Sequence, residues 1–485
     1  MVFIMSAAVM NQVDTTIANV ALPHIQGSIS ASREQISWVL TSYIIAAAIF
    51  TPMAGWLASR FGRKRMLQAS ILAFTLTSGL CGISTTIEEL IAFRMLQGMA
   101  GAALVPMSQA TLLDLNPPEE HAKAMSIFAL AAIVGPLIGP LAGGWLTANL
   151  SWRWCFYINL PLGLVSWIGL AAVMPEIPGN TQSRLDFVGF GLLAIAIGAF
   201  QLMLDRGQLL DWFDSTEIWI SALVAATGLY LYVVHSYTTR RPFVSLAVFA
   251  DRNFVVASVV GFALGVLIYS PMSLLPQMLE GLMGYPIMEV GFTMAPRAVG
   301  VLIATLAVGR IVGRVDFRIM IVLGLGCNVV AMYLMSHMSL QADNGPLILS
   351  GVIQGMGSSL IFVPLSTVAF ATLPVHLRNE ATALSTLTRN LGASVGIAAM
   401  QALTVRNSAT VQSRLAEGLR PDNPAVAMAR PDFDPGLPET AASLQEELVR
   451  QAMMVSYVDA FWMIFGVALA SCLLVLLLKP PAKQA

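Results

Sequence analysis

Fourteen apolar segments, each long enough to cross a lipid bilayer, occupy most of the 485-residue sequence. A window of about 19 residues identifies them. They lie near residues 2–25, 35–57, 67–84, 89–113, 123–147, 154–174, 186–205, 216–237, 253–279, 289–309, 319–338, 346–371, 381–403 and 457–478. Hydrophobic residues make up 56% of the chain and charged residues only 11%. We therefore expect an all-α, multi-pass membrane protein with 14 transmembrane helices.

The distribution of Lys and Arg predicts how these segments are oriented. If the N-terminus is cytoplasmic, the inside segments carry 15 Lys and Arg residues and the short outside loops carry 3. Cytoplasmic loops are enriched in these residues, so both termini are predicted to be cytoplasmic. The long segment 404–456 then lies outside as a periplasmic loop. Residues 2–25 contain a polar centre and are expected to form a retained first helix rather than a cleaved signal peptide.

An internal repeat divides the chain. The sequence QGMAGAALVP from Gln97 recurs as QGMGSSLIFVP from Gln354, and GWLASRFGRK from Gly55 matches GRIVGRVDFR from Gly309. Both copies of the basic loop are predicted to be cytoplasmic, so the two repeats are parallel. Such repeats are typical of transporters whose two bundles rock around a central site.

The repeat predicts the domain organisation. Residues 1–174 are expected to form an N-terminal six-helix bundle, and residues 253–485 a C-terminal six-helix bundle that includes loop 404–456. Residues 175–252 form a linker that contributes two inserted helices. Because the insertion contains two helices, it leaves the orientation of the second bundle unchanged.

Asp14 lies inside the first apolar segment, roughly 18 Å from the start of a helix at 1.5 Å per residue. A charge at that depth costs at least ~2.5 kcal/mol on insertion scales, so this carboxylate is expected to face the protein interior or a wet cavity. Burial favours the protonated form of an acid, whereas a nearby cation such as Arg94 favours the charged form. Asp14 is therefore a candidate proton-coupling residue. A structural aspartate that pairs permanently with an arginine is the alternative.

Six motifs occur in a characteristic order: VDTTIANVALP, GWLASRFGRKR, RMLQGMAGAALVP, VGPLIGPLAGGWL, WRWCFYINLPLG and STLTRNLGASVG. Together they resemble the major facilitator superfamily, specifically its fourteen-helix drug:proton antiporters of the EmrB/QacA type, and the EmrB branch most closely. The resemblance covers nearly the whole chain and implies the fold of that superfamily. It also implies a part for Arg94, in the fourth segment, in proton transfer or substrate binding.

Two of these motifs contain further candidate site residues. The resemblance identifies an antiporter motif that acts as a packed hinge, although simple close packing is the alternative. This motif contains Gly135, Pro136, Gly139, Pro140, Gly143 and Gly144. The basic loop chiefly sets topology, and its motif residues are Gly55, Arg60, Gly62, Arg63 and Lys64. The family pattern has an Asp where this chain has Ser59, so the usual gate charge is missing.

Polar, aromatic and sulfur-containing side chains within the spans are candidates for the wall of a substrate cavity. They are Asn11, Asn19, Trp38, Tyr43, Met107, Gln109, Tyr269, Met272, Gln277, Gln354, Arg389 and Asn390. Arg297 is a third cation inside a span. For Arg94, Arg297 and Arg389, a structural pairing with backbone carbonyls or a buried acid is the alternative.

The sequence predicts a transporter rather than an enzyme. It contains no G-x-x-x-x-G-K-[ST], H-E-x-x-H or G-x-S-x-G motif, so energy is expected to come from an ion gradient. The leading hypothesis is proton-driven export of hydrophobic or amphipathic toxic compounds across a bacterial inner membrane. Transport of one specific solute is the alternative, and a membrane enzyme or receptor is the competing class.

The expected partners are small hydrophobic substrates, protons and membrane lipids. No nucleic acid is expected, because the net charge is only −1. No metal or cofactor is expected either, because no cluster of ligand residues is evident in the sequence. The resemblance to EmrB implies a periplasmic adaptor similar to EmrA and an outer-membrane channel as further partners.

Overall fold

The computed structural model describes residues 2–117, 120–176, 185–240, 242–311, 315–374, 377–417 and 438–478. Each of the fourteen predicted spans is helical over most of its length. Eleven helices within the described residues are long and apolar enough to cross a membrane. The prediction of an all-α membrane protein is therefore confirmed.

The N-terminal bundle consists of six spanning helices, two of which are interrupted. They are α1 Val2–Ile29, α2 Arg33–Phe61, α3 Arg63–Ile83, α4 Ile87–Gly101 continued by Leu104–Leu115, α5 His121–Asn149, and α6, formed by Trp154–Tyr157 and Asn159–Val173. The interruption in α4 precedes Pro106. Proline has no N–H to donate to the carbonyl group of Ala102, so the regular hydrogen-bond pattern stops there.

The inserted pair and the C-terminal bundle account for the other eight spans. The inserted helices are α7 Phe187–Gly207 and α8 Thr216–Thr238. The C-terminal bundle contains α9 Arg252–Pro276, α10 formed by Ile287–Met294 and Pro296–Ile311, α11 Phe317–Met335, α12 Asn344–Ala371, α13 Arg378–Glu417 and α14 Pro438–Val475. A π-helical turn, Gln277–Leu282, follows α9.

The two bundles repeat the same helix packing, as the internal repeat suggests. Gly98 of α4 packs against the backbone of Tyr43 in α2. Gly355 of α12 lies 257 residues later and packs against the backbone of Arg297 in α10. Glycine permits this approach because it has no side chain to separate the helices.

The bundles meet along two seams. Helix α2 packs against α13, and α5 packs against α10 and α12. The inserted helix α7 lies along the first seam, where it contacts both α2 and α13. The side chain of Gln201 in α7 donates to Ser394 in α13 at 2.9 Å. The inserted pair therefore lies against both bundles at this seam.

Helices α13 and α14 extend further than their predicted spans. Helix α13 continues to Glu417 and α14 already begins at Pro438, whereas the predicted spans ended at 403 and began at 457. The two helices pack against each other, and Leu448 and Ala452 of the α14 extension are buried. The central, Pro-rich part of the predicted loop, residues 418–437, lies outside the described residues.

Candidate functional site

Asp14 is fully buried in α1 and accepts hydrogen bonds from three side chains on two other helices. Arg94 of α4 donates from Nη1 to Oδ2 at 2.7 Å. Gln97, one turn further along α4, donates to Oδ1 at 2.9 Å, and Asn159 of α6 donates to the same oxygen at 2.7 Å. These contacts join α1, α4 and α6 at a single carboxylate.

Arg94 is also fully buried, and its guanidinium group is only partly satisfied. Besides Asp14, it donates to the carbonyl oxygen of Val39 at 3.3 Å and to Oε1 of Gln97 at 2.8 Å. Its Cζ lies 4.2 Å from the ring centre of Tyr43, within range of a cation–π interaction. Its second terminal nitrogen, Nη2, has no hydrogen-bond partner among the described residues.

A second layer of polar contacts holds these groups in place. Asn159 donates to Ser78 Oγ at 3.0 Å, and Ser78 donates to the carbonyl oxygen of Phe156 at 2.9 Å. On the other side, Asn11 donates to the hydroxyl oxygen of Tyr43 at 2.8 Å. Two predicted cavity residues, Asn11 and Tyr43, therefore adjoin the Asp14–Arg94 pair.

The glycine face of α5 lies along the part of α1 that carries Asp14. A β-carbon at Gly135 would press on Gln12, one at Gly139 on Thr16, and one at Gly143 on Ile17. Gly144 of the same motif faces open space within 4 Å. The side chains of Pro136 and Pro140, also predicted site residues, lie outside the described residues.

The hydrogen bonds around Asp14 match its charged form. A carboxylate only accepts hydrogen bonds, and all three neighbouring groups donate to it. A protonated Asp14 must donate one hydrogen bond, so at least one neighbour has to turn an acceptor towards it. The amides of Gln97 and Asn159 each carry such an oxygen.

A second ionic cluster joins the two bundles on the side of the basic loop. Asp114, at the end of α4, forms ion pairs with Arg63 of α3 and with Arg378 of α13, the latter at 3.5 Å. Nearby, Asn379 donates to Ser59 Oγ at 3.4 Å. The polar position 59 therefore contacts the opposite bundle through a hydrogen bond, although it lacks the charge of the family pattern.

Sequence reasoning did not identify Asp114 and Arg378 as a pair. The available signal was their position, because both lie at helix ends on the predicted cytoplasmic side.

Among the predicted loop residues, Gly55 packs against the backbone of α13 at Asn379. Gly62 has φ of 87°, a conformation that favours glycine, and it separates α2 from α3.

The other two basic residues of the predicted loop motif, Lys64 and Arg60, contact groups within the N-terminal bundle. Lys64 donates to the carbonyl oxygen of Ala171 at 2.8 Å. The Arg60 guanidinium lies 5.4 Å from the ring centre of Trp56.

The sequence model of one protein family, the major facilitator superfamily, matches residues 4–397 of the chain. This chain belongs to the major facilitator superfamily.

Relatives within the superfamily cover nearly all of the chain. It is 34% identical to the multidrug export protein EmrB of Escherichia coli strain K12, over 98% of this chain and 94% of that protein. It is 33% identical to the fatty acid resistance protein FarB of Neisseria gonorrhoeae, over 93% and 87% of the two chains. The resemblance to EmrB predicted from the motifs is confirmed.

A solved structure supports the fold of the superfamily. The proton:xylose symporter XylE, at 15% identity, superposes with a TM-score of 0.61 and covers 97% of this chain and 93% of that chain. At this identity the likeness concerns the fold alone. It agrees with the predicted arrangement of two bundles.

The remaining cavity candidates are dispersed within this superfamily fold. Met107, Gln109 and Gln354 are buried, and Trp38, Tyr269, Met272 and Arg389 are partly buried. Asn19, Gln277 and Asn390 are exposed, and Gln277 lies in the π-helical turn. Gln354 donates to the carbonyl oxygen of Leu267 at 2.9 Å. The structure therefore brings Asn11 and Tyr43, but not the whole predicted set, to the Asp14–Arg94 pair.

Proposed function

We propose that this protein exports hydrophobic or amphipathic toxic compounds in exchange for protons. The observation that carries the proposal is Asp14, the one acidic side chain that is fully buried in the part of the chain the structure describes. A buried carboxylate with a cationic partner is a suitable proton carrier, because burial and the cation act on its charge in opposite directions. Names of relatives such as EmrB support drug export as the activity.

Proton binding and substrate binding compete in this scheme. When Asp14 is charged, it holds Arg94, Gln97 and Asn159 together. A proton taken up from outside removes the charge, weakens the pair with Arg94 and frees α4 and α6 to move relative to α1. Substrate bound from inside then favours the return of the charged form and release of the proton. The two bundles alternate between openings on the two sides of the membrane.

The ionic cluster around Asp114 serves as the inner gate in this proposal. Its ion pairs connect α3 and α4 of one bundle to α13 of the other, so they must separate when the inner side opens. The cluster contains two arginines for one carboxylate, and the Asn379–Ser59 contact supplements it. With these ion pairs formed, the cytoplasmic side is closed, and in this proposal the transporter is then ready to bind protons from outside.

The proposed location is the inner membrane of a bacterium, with both termini in the cytoplasm. The basic loop between α2 and α3 supports this orientation. The extended ends of α13 and α14 then project into the periplasm. We propose that this projection binds a periplasmic adaptor similar to EmrA, which leads to an outer-membrane channel.

Dye transport into everted membrane vesicles tests the proposed activity. Respiration acidifies the vesicle interior, so an exporter of this kind moves ethidium inwards in exchange for protons. We expect uptake in vesicles that contain the protein, collapse on addition of a protonophore, and background uptake in vesicles without it. Uptake that persists after the gradient is removed would identify a facilitator and contradict proton exchange.

A further inference from the structure

The side-chain oxygen of Asn159 is a buried acceptor beside the proposed proton site. Asn159 is fully buried, and its Nδ2 donates to Asp14 Oδ1 at 2.7 Å. Its own Oδ1 has no hydrogen-bond partner among the described residues. A polar atom that stays unpaired in the protein interior costs free energy, so it calls for an explanation. Here the unpaired acceptor belongs to the same amide group that already contacts the carboxylate.

Gln97, the second amide next to Asp14, has no such free acceptor. Its Oε1 accepts from Arg94 Nη1 at 2.8 Å and from the thiol group of Cys81 at 3.5 Å. If this amide turned over, both hydrogen bonds would be lost, because its NH2 group would face the guanidinium group of Arg94. Asn159 is therefore the amide that can turn an oxygen towards Asp14 without breaking a bond to Arg94.

The two carboxylate oxygens of Asp14 have different neighbours. Oδ2 accepts from Arg94, whereas Oδ1 accepts from Gln97 and Asn159. A proton is least costly on Oδ1, because the cation is bonded to the other oxygen. A protonated Oδ1 donates one hydrogen bond and still accepts one from Gln97, so only the bond with Asn159 has to reverse.

Ser78 of α3 allows the Asn159 amide to turn. Asn159 Nδ2 donates to Ser78 Oγ at 3.0 Å, and the serine hydroxyl group donates to the carbonyl oxygen of Phe156 at 2.9 Å. A hydroxyl group both donates and accepts, so Ser78 can instead donate to the turned Oδ1. In either orientation one end of the amide occupies the same unpaired position. The turn therefore leaves the number of unpaired ends unchanged.

Asn159 also lies where α6 is interrupted. It is the first residue of the segment Asn159–Val173, which follows Trp154–Tyr157. Pro161, two residues later, has no N–H to donate to the carbonyl oxygen of Tyr157. Helices bend most readily where such a bond is missing, so a change in the Asn159 contact acts at a flexible point of α6.

We propose that Asn159 is a positioning residue for the proton, which turns its amide so that Oδ1 accepts a hydrogen bond from protonated Asp14. Asn159 donates to the charged form of Asp14 and accepts from the protonated form. The reversal transmits the gain of a proton to Ser78 in α3 and to the break in α6. This inference rests on the proposed function, because it takes Asp14 as the proton carrier, and it adds the residue that responds to the proton.

Infrared difference spectroscopy of the purified protein between acidic and alkaline pH tests the inference. Protonated Asp14 gives a carbonyl band that is absent in Asp14→Asn, and isotope labelling of the asparagine side-chain amides identifies a band of Asn159. We expect both bands to change together in the wild type. In Asn159→Leu the asparagine band should be missing, and the Asp14 band should shift to higher wavenumber, because the carboxyl group has lost its acceptor. Asn159→Ser should restore part of the shift, since a hydroxyl group also accepts.

Ethidium export into everted vesicles measures the consequence for transport. Asn159→Leu should slow gradient-driven export about tenfold, because the protonated carboxyl group is left unpaired in the interior. Asn159→Ser should recover part of the rate. Asn328→Leu is the matched control, because Asn328 of α11 is also fully buried and its Oδ1 also has no partner among the described residues. This variant should export at about the wild-type rate and keep both bands.

Size-exclusion chromatography checks that each variant is folded, and Asn159→Ser serves alone to assign the asparagine band if Asn159→Leu aggregates. An Asp14 band without any change in Asn159, or the same Asp14 band in the wild type and in Asn159→Leu, would overturn the role of Asn159 and leave Asp14 as the proton carrier. Absence of an Asp14 band would overturn the proton site together with the role of Asn159. Gradient-driven ethidium export in the same preparations then decides whether the export function itself stands.

Discussion

Arg94 donates a hydrogen bond to Asp14 across 2.7 Å, and both side chains are fully buried. The two residues are 80 positions apart in the sequence. Their contact connects the first helix of the chain to the fourth at the proposed proton site.

Replacement of Asp14 by Asn should leave insertion and folding intact and abolish proton-driven export. Asn has the same shape and still accepts a hydrogen bond at Oδ1, but it does not titrate. Ethidium uptake into acidified everted vesicles is the measurement. Asp343→Asn is the matched control, because Asp343 is exposed at the start of α12.

Export by Asp14→Asn at the wild-type rate, with the same dependence on the pH gradient, would contradict the role of Asp14. Other acidic residues of the C-terminal bundle would then be the candidates for proton coupling. They are Glu280, Glu289 and Asp459.

Removal of Arg94 should destabilise the protein through the charge that it leaves behind. Loss of one partner of a buried ion pair typically costs about 3–5 kcal/mol. We expect Arg94→Gln to lower the midpoint of thermal unfolding in detergent, and Asp14→Asn to restore part of this loss in the double variant. Arg310→Gln, at an exposed position, should have little effect. Strictly additive losses in the double variant would show that the pair is not coupled.

Replacement of Gly139 by Leu should abolish or uncouple transport while the protein still inserts. Even the β-carbon would collide with Thr16, so the larger side chain must separate α5 from α1 next to Asp14. Gly144→Leu is the control, because no atom lies within 4 Å of its added β-carbon. Expression level and dye export are measured for both variants. Normal export by Gly139→Leu would exclude a tight contact at this position.

Replacement of Asp114 by Asn should favour opening on the side of the basic loop. Arg63 and Arg378 would then face each other without the carboxylate between them. If the closed state loses about 1 kcal/mol of stabilisation, the ratio of open to closed molecules rises about fivefold. The rate at which a maleimide labels Ser59→Cys in everted vesicles reports this opening. Glu176→Gln, which alters an exposed pair with Arg65, is the control and should leave the rate unchanged.

A photocrosslinker at Arg414 should reach a periplasmic adaptor in a Gram-negative host. Arg414 is exposed on the extension of α13 that lies beyond the predicted span. Leu209, exposed at the connection between α7 and α8 on the same side, is the control and should not crosslink. The absence of adaptor crosslinks, together with efflux in a strain without an adaptor, would rule out this assembly.

The sequence by itself determined the number of spans, their class and the family. These features depend on properties that are local in the chain, namely apolar runs of about 20 residues, charged loops and short motifs. Asp14 could also be recognised locally, because a carboxylate in an apolar helix is costly wherever the helix packs. The helical extensions of α13 and α14 beyond their predicted spans could not be delimited from apolar runs, since helices that leave the membrane need no apolar surface beyond it.

Only the tertiary structure decided which side chains meet Asp14. Gln97 and Asn159 have no distinctive sequence signal, and their contacts depend on how α1, α4 and α6 pack and rotate. The same is true of Asp114 and Arg378, which are 264 positions apart and meet only because α4 and α13 converge. Spacing along a chain fixes the face of one helix, but the choice of neighbouring faces depends on the packing of all helices together.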